Sequence, residues 1–168
     1  MPDEKQSLHE SLDRHREVVL WKLKGLDDAQ LRRPMVPSGT NLLGLVKHLA
    51  SVQFGWFCSC FGRQSEWIEW DPDDYDADAR IKPSESTADI LAYFARARSA
   101  TDEVIGSVEI DQSVVPPPGL GPGDPVTLRW ILIHVIEDMV RHAGQMDIIR
   151  ELIDGRTGYL PPAGHEDR

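Results

Sequence analysis

Three polar residues in the segment 131–152 have the types and the spacing that chemistry requires. Steps of four and three put them on one apolar helical stripe, which runs through Ile131, Val135, Asp138, His142, Gln145, Ile149 and Leu152. Burying a carboxylate, an imidazole and an amide without partners costs about 1–3 kcal/mol for each group. A divalent cation would compensate, because aspartate and neutral imidazole are good ligands and the i,i+4 spacing stacks Asp138 and His142 on one face. The segment therefore predicts part of a metal site.

A third ligand is expected from a neighbouring helix, and His48 is the candidate. It lies three residues after Leu45 and four before Val52, at the border of an apolar seam. Two other interpretations stay open at this point. An i,i+4 pair of this kind is often solvated, and a histidine on an apolar face is often a hydrogen-bonded core residue.

The other histidines fit this site less well. His134 lies one turn before Asp138 and is interpreted as a ligand, as a group that hydrogen-bonds a ligand, or as a substrate contact. His15 could approach the same cavity from the first helix. His9 and His165 are expected to be solvated, on the surface or in the tail.

Four helices are expected to position these side chains. Their predicted spans and signals are 7–26, with a capping box of Ser7 and Glu10; 42–61, capped by Thr40 or Asn41; 87–108, capped by Ser86 or Thr87; and a last helix from the cap Thr127 to Asp154, stopped by Gly155. No segment shows convincing strand alternation. We therefore predict an all-α four-helix bundle, with residues 1–155 as one domain and 156–168 as a C-terminal tail.

Long loops are predicted between helices 2 and 3 and between helices 3 and 4. Residues 66–76 are acidic and aromatic without a sustained period, and residues 115–125 are rich in proline and glycine. A long loop in a small domain is usually functional or mobile. Four aromatic residues could line a mouth over the site or simply belong to the core: Trp56, Trp67, Trp70 and Tyr75.

The composition excludes some partners. A formal net charge of −10 without a basic patch repels phosphate backbones and anionic bilayers, so nucleic acid is not expected as a partner. The sequence shows no secretory leader pattern and no apolar run long enough to cross a bilayer, which favours a cytoplasmic protein without membrane contact. Cys58 and Cys60 are two residues apart on a helix, a spacing that points them to different sides and disfavours a disulfide.

Two helical motifs resemble a known family. Residues 41–50 and 138–145 are similar to the second-helix and fourth-helix motifs of the DinB/YfiT-like superfamily of metalloenzymes, in its DUF664 branch, and the similarity extends through residues 148–155. The resemblance implies a DinB-like four-helix bundle, often dimeric, with a divalent metal bound by His48, Asp138 and His142. Many members have histidine in place of Asp138, whereas the mycothiol-dependent maleylpyruvate isomerases have a carboxylate there.

The resemblance also implies a reaction class. Similar proteins with assigned activities use low-molecular-weight thiols such as mycothiol or bacillithiol, so we expect thiol S-transfer or thiol-dependent isomerisation of a small electrophile. Zinc is the expected ion, with nickel and iron as alternatives. Gln145 would donate to a ligand, and His134 would carry a proton or contact substrate. The alternatives are metal-dependent hydrolysis and a non-catalytic metal- or small-molecule-binding bundle. A homodimer is expected, with a seam that includes Leu128, Ile131 or Trp130.

Overall fold

Helices provide most of the buried core of this chain. The computed structural model describes residues 3–66, 68–69, 71, 73–74, 76–121 and 123–158. Within that part of the chain the α-helices are α1 (Glu4–Trp21), α2 (Asp28–Arg32), α3 (Leu42–Gln53), α4 (Thr87–Ser107) and α5 (Leu128–Asp154). The four long helices form the bundle, in which α1 packs on α5, and α3 packs on both α4 and α5. The prediction of an all-α bundle is confirmed.

The first helix begins earlier than predicted. Asp3 is its N-cap, because the Asp3 side chain accepts a hydrogen bond from the backbone N–H of Gln6 at 2.8 Å. The capping box that we predicted at Ser7 and Glu10 is therefore wrong, and Ser7 lies inside the helix. The helix also ends before residue 26, and a second capping box, formed by Asp27 and Gln30, starts the short helix α2, which we did not predict.

The second long helix changes its winding where we predicted a regular helix to residue 61. Asn41 caps α3, and its side chain accepts from the N–H of Gly44 at 2.8 Å. After Gln53 the chain continues as a π-helix over Phe54–Ser59. A π-helical turn widens the backbone locally and often occurs at functional sites.

The last two helices follow their predicted signals closely. Ser86 caps α4 in a capping box with Asp89, and Thr127 caps α5 by accepting from the N–H of Trp130 at 3.2 Å. Gly155 ends α5 with a φ of 75°, in the left-handed region that glycine adopts without strain. The predicted stripe needs one correction, because Leu152 is 58% exposed and does not belong to the buried face.

The connections between the helices contain short regular pieces. Ser113–Val114 (β1) and Val126–Thr127 (β2) pair antiparallel and close the proline-rich connector. Strands of two residues are too short to show an alternating pattern in the sequence. The loop after the π-helix contains a 3₁₀ turn at Ala77–Ala79. None of the helices within the described ranges is long and apolar enough to cross a membrane.

Several predictions fall on residues outside those ranges. Trp67, Trp70 and Tyr75 of the suggested aromatic mouth lie there, as does His165. Only residues 156–158 of the predicted tail are described, so the domain boundary stays a prediction. Cys58 and Cys60 are free and buried.

Candidate metal centre

Two helices bring the three predicted ligands together. His48 comes from α3, and Asp138 and His142 come from α5. Nε2 of His48 lies 3.5 Å from Oδ2 of Asp138, and Nε2 of His142 lies 3.3 Å from Oδ1 of the same carboxylate. The two imidazole rings meet edge to face with centroids 4.8 Å apart. We call His48, Asp138 and His142 the α3–α5 cluster.

Each imidazole of this cluster is held by its other nitrogen. Nδ1 of His48 lies 3.0 Å from both carboxylate oxygens of Asp78, and Nδ1 of His142 lies 2.7 Å from Oε1 of Gln145. A carboxylate and an amide oxygen can only accept, so both Nδ1 atoms donate. Gln145 was predicted as a donor to a ligand, and the structure shows it as an acceptor. The consequence is that both Nε2 atoms face Asp138.

The electrostatics of the α3–α5 cluster favour a positive charge at its centre. Oδ2 of Asp138 is buried and accepts no hydrogen bond within the described part of the chain. Burial lowers the pKa of His48, but the close contacts with the carboxylates of Asp138 and Asp78 outweigh it and raise the pKa from 6.5 to about 9. Burial raises the pKa of Asp138, but the contacts with His142 and His48 outweigh it and hold the pKa well below its usual range. Without a proton or a metal ion, two nitrogen lone pairs would face a carboxylate.

The donor set and its spacing fit a divalent metal. Two ligand atoms that each lie about 2.0 Å from a tetrahedral zinc are separated by about 3.3 Å. The observed separations of 3.3 and 3.5 Å from the carboxylate to the two Nε2 atoms match this value. The side chains of His48, Asp138 and His142 are 22%, 25% and 17% exposed, so the centre is partly accessible to solvent. These three residues could hold a metal ion and leave room for a further ligand.

A cavity of about 300 Å³ adjoins the cluster through His48 and Asp78. Its apolar wall includes Trp56, Ile68 and Leu120, which come from the π-helix and the two long loops. Its acidic lining is Glu69, Asp71, Asp74 and Asp78. Lys47 and Lys82 pair with Glu69, and Arg80 pairs with Asp74, so part of this negative charge is already neutralised.

His134 and His15 lie outside the cluster. The His134 ring stacks on Trp130 at a centroid distance of 4.9 Å and meets Trp56 edge to face at 4.7 Å. His15 contacts the backbone oxygen of Ser11 through Nδ1 at 2.8 Å. Neither belongs to the group whose ligand atoms converge. Trp56 lines the cavity, so His134 could influence a bound substrate through its contact with the Trp56 ring. Its predicted role in substrate contact stays a prediction.

Asp78 was not predicted from the sequence. It follows the acidic segment 66–76, which we expected to be functional or mobile, but no period or motif distinguishes it from the other aspartates there. The only available signal was that a metal-binding histidine usually donates its second nitrogen to a carboxylate. This rule predicts that such a partner exists but does not say where in the sequence it lies.

A second group of histidine and carboxylates lies between α1 and α4. Nε2 of His9 is 2.9 Å from Oδ1 of Asp102 and 3.9 Å from Oδ2 of Asp13. The fully buried Arg16 donates to Asp13 at 2.8 Å and to Asp102 at 2.7 Å. We call His9, Asp13 and Asp102 the α1–α4 cluster. His9 was expected to be solvated, but its side chain is only 30% exposed.

Comparisons with other proteins agree with this fold and add a match to a protein family. Residues 7–155 match the family model of the mycothiol-S-transferases. Among solved structures, the chain is similar to a conserved protein from Enterococcus faecalis, at 18% identity over 93% of this chain and 100% of that chain, with a TM-score of 0.72. At this identity the likeness shows the fold alone. No curated protein matches this chain.

Proposed function

This chain belongs to the mycothiol-S-transferase family, and we propose that it uses a divalent metal to transfer a small thiol to an electrophile or to isomerise a thiol adduct. The proposed ligands are His48, Asp138 and His142. The observation that carries the proposal is the buried Oδ2 of Asp138, which accepts no hydrogen bond in the described ranges and lies 3.5 Å from Nε2 of His48. Membership of the DUF664 branch is part of the same proposal and rests on the motifs at residues 41–50 and 138–145.

A bound divalent cation would act as a Lewis acid that lowers the pKa of a thiol toward neutral pH. Zinc is the proposed ion, with nickel or iron as alternatives, because all of them accept imidazole and carboxylate ligands. Side chains of the protein itself orient the metal ligands. Asp78 and Gln145 fix the two imidazole rings, so that their Nε2 atoms face Asp138.

The cavity beside His48 is the proposed binding site for the electrophile. Trp56, Ile68 and Leu120 offer it an apolar wall. A hydrophobic molecule in this position excludes water from the reacting thiol, which favours transfer over hydrolysis. His134, which contacts Trp56, is proposed to contact the substrate through that ring or to carry a proton. We place this reaction in the cytoplasm, where low-molecular-weight thiols are kept reduced.

The proposal is tested by metal analysis and by thiol consumption. Protein purified without chelator should contain a stoichiometric divalent metal and should conjugate mycothiol or another cellular thiol with a chloroaromatic electrophile. His142→Ala should lose the metal and about 100-fold or more of the activity, because the Lewis acid is lost. His9→Ala, in the α1–α4 cluster, is the matched control and should keep both.

Two results would contradict this function in different ways. Protein without stoichiometric metal would favour a non-catalytic bundle. Stoichiometric metal without metal-dependent conjugation of any cellular thiol, but with hydrolysis of an ester or amide, would favour a hydrolase.

A homodimer is also proposed, with a contact surface that differs from the predicted seam. Leu128 and Ile131 are fully buried inside the chain and cannot contact a partner, whereas Trp130 is 40% exposed. The large apolar side chains that α5 exposes are Trp130, Ile133, Val140, Ile148 and Leu152. We propose that a second copy packs on this face in a two-fold arrangement. Sedimentation should show a dimer that Ile148→Asp dissociates, and a monomeric wild-type protein would contradict it.

A further inference from the structure

The loop that carries Asp78 lies directly on the face of α3 that carries His48. A Cβ atom built on Gly44 would overlap the backbone oxygen of Ala79, because it would lie closer than side-chain carbons approach backbone oxygens. Nζ of the buried Lys47 donates to the backbone oxygen of Arg80 at 2.7 Å. Gly44, Lys47 and His48 lie on one face of α3, since they are three and four residues apart. The backbone directly after Asp78 is thus in contact with α3 at two successive residues, Ala79 and Arg80.

This contact brings the Asp78 carboxylate to His48. Both oxygens lie 3.0 Å from Nδ1 of His48, and the Asp78 side chain is 13% exposed. The turn Ala77–Ala79 has a single residue on each side of Asp78, so a displacement of Ala79 moves Asp78 with it. The position of the carboxylate therefore depends on the absence of a side chain at Gly44.

We propose that Asp78 is a positioning residue for His48, and that Gly44 allows it to reach this position. The inference rests on the proposed function, in which His48 is a metal ligand. A histidine that binds a metal almost always donates its other ring nitrogen to an acceptor such as a carboxylate, which fixes the tautomer and the ring orientation. Loss of such a partner typically weakens metal affinity about 10–100-fold.

A substitution at Gly44 distinguishes the positioning role of Asp78 from a direct effect of its negative charge. Gly44→Ala leaves the three ligands and Asp78 chemically unchanged, but the added methyl group must push the Ala79 carbonyl away. The neighbour is backbone rather than the end of a flexible side chain, so the turn as a whole has to move. We expect Asp78 to lose its contact with His48, and the metal affinity to fall about tenfold.

The experiment is a metal titration of the full-length, metal-free protein and its variants. Zinc or cobalt is titrated against a competing chelator, and the absorption bands of cobalt report the ligand geometry. Asp78→Ala should weaken binding about 10–100-fold and shift the cobalt bands. Asp78→Asn should lose less, because the amide oxygen can still accept from Nδ1. Gly106→Ala is the matched control, since Gly106 lies inside α4 and a Cβ there meets nothing within 4 Å.

The outcomes separate this inference from the proposed function. Wild-type protein that binds no metal would overturn the proposed function and this inference with it. Wild-type protein that binds metal, with Asp78→Ala and Gly44→Ala binding equally tightly and with the same cobalt bands, would overturn this inference alone. Thermal unfolding of the metal-free variants checks their folding, and Asp78→Ala keeps the test valid if Gly44→Ala does not fold.

Discussion

The α3–α5 cluster and the α1–α4 cluster each bring histidine and aspartate ligand atoms within 4.8 Å of one another. They differ in the cation that faces the carboxylates. Asp13 and Asp102 both accept from the buried guanidinium of Arg16, and Arg98 adds a second positive charge 3.2 Å from Asp13. Asp138 has only the two imidazoles among the described residues.

This difference indicates that the type and proximity of residues do not by themselves define a metal site. The charge of the carboxylates in the α1–α4 cluster is already balanced by arginine, so a metal ion would have to displace a hydrogen-bonded guanidinium or tolerate its repulsion. In the α3–α5 cluster, by contrast, the buried Oδ2 of Asp138 accepts no hydrogen bond among the described residues and can accept a cation. We therefore expect the first cluster to stabilise the fold, and we propose metal binding for the second.

Arg16→Met should produce the largest effect, because it removes the cation of the α1–α4 cluster. Methionine retains part of the apolar stem but removes the hydrogen bonds that the guanidinium donates to Asp13, Asp102 and Gln53. We expect the free energy of unfolding to fall by about 3 kcal/mol, measured by urea denaturation in the presence of chelator. The folded variant should bind metal as the wild type does. Loss of metal binding without loss of stability would reverse our assignment of the two clusters.

Asp138→Asn should have its largest effect when metal is present. Asparagine preserves the shape of the side chain but removes the charge that a cation requires. Metal at 100 times its dissociation constant should stabilise the wild type by about 2.7 kcal/mol, and this gain should vanish in the variant. Thermal unfolding with and without zinc measures it. Asp13→Asn is the control, and it should keep the stabilisation; an equal gain for Asp138→Asn would contradict the site.

The metal-free protein should lose stability as the pH rises from about 6.5 through about 9, the interval over which the pKa of His48 is raised. Protonated His48 contributes its full stabilisation below pH 6.5, where the folded and unfolded chains are both protonated. The stabilisation falls as the pH rises, because the unfolded chain releases its proton first, and it is lost once the folded protein deprotonates. We expect a loss on the order of 1 kcal/mol, measured by urea unfolding with chelator. His48→Gln should show a flat profile over this interval, and a flat wild-type profile would contradict the prediction.

Local signals in the sequence were sufficient for most of the fold. Ser86, Thr127 and Gly155 mark helix ends through contacts within a few residues, which is why α4 and α5 were predicted closely. The start of α1 was missed because Asp3 offers a competing cap upstream of Ser7. The π-helix after Gln53 was missed because an apolar period does not distinguish it from a regular helix.

The candidate site was predictable only in part, for the same physical reason. Asp138 and His142 share a helix face, so their proximity follows from spacing. His48 was a candidate from its place beside an apolar seam, and the resemblance to a family supported it. Asp78 contacts His48 across 30 residues, and Asp102 contacts Arg16 across 86. Contacts of this range depend on how loops and helices pack, which no local pattern in one sequence specifies. Metal binding itself stays a prediction.

His9→Gln should have the smallest effect and gives the sharpest separation of the two clusters. The side chain is 30% exposed, and pairs near the surface contribute at most about 1 kcal/mol. Arg16 remains to balance Asp13 and Asp102, so the stability of the variant should fall by less than that amount. Its zinc affinity, measured against a competing chelator, should equal that of the wild type. A weaker affinity would place a metal ion in the α1–α4 cluster. His9 lies on α1 and does not belong to the α3–α5 cluster, so its replacement should not change the affinity of that cluster for zinc.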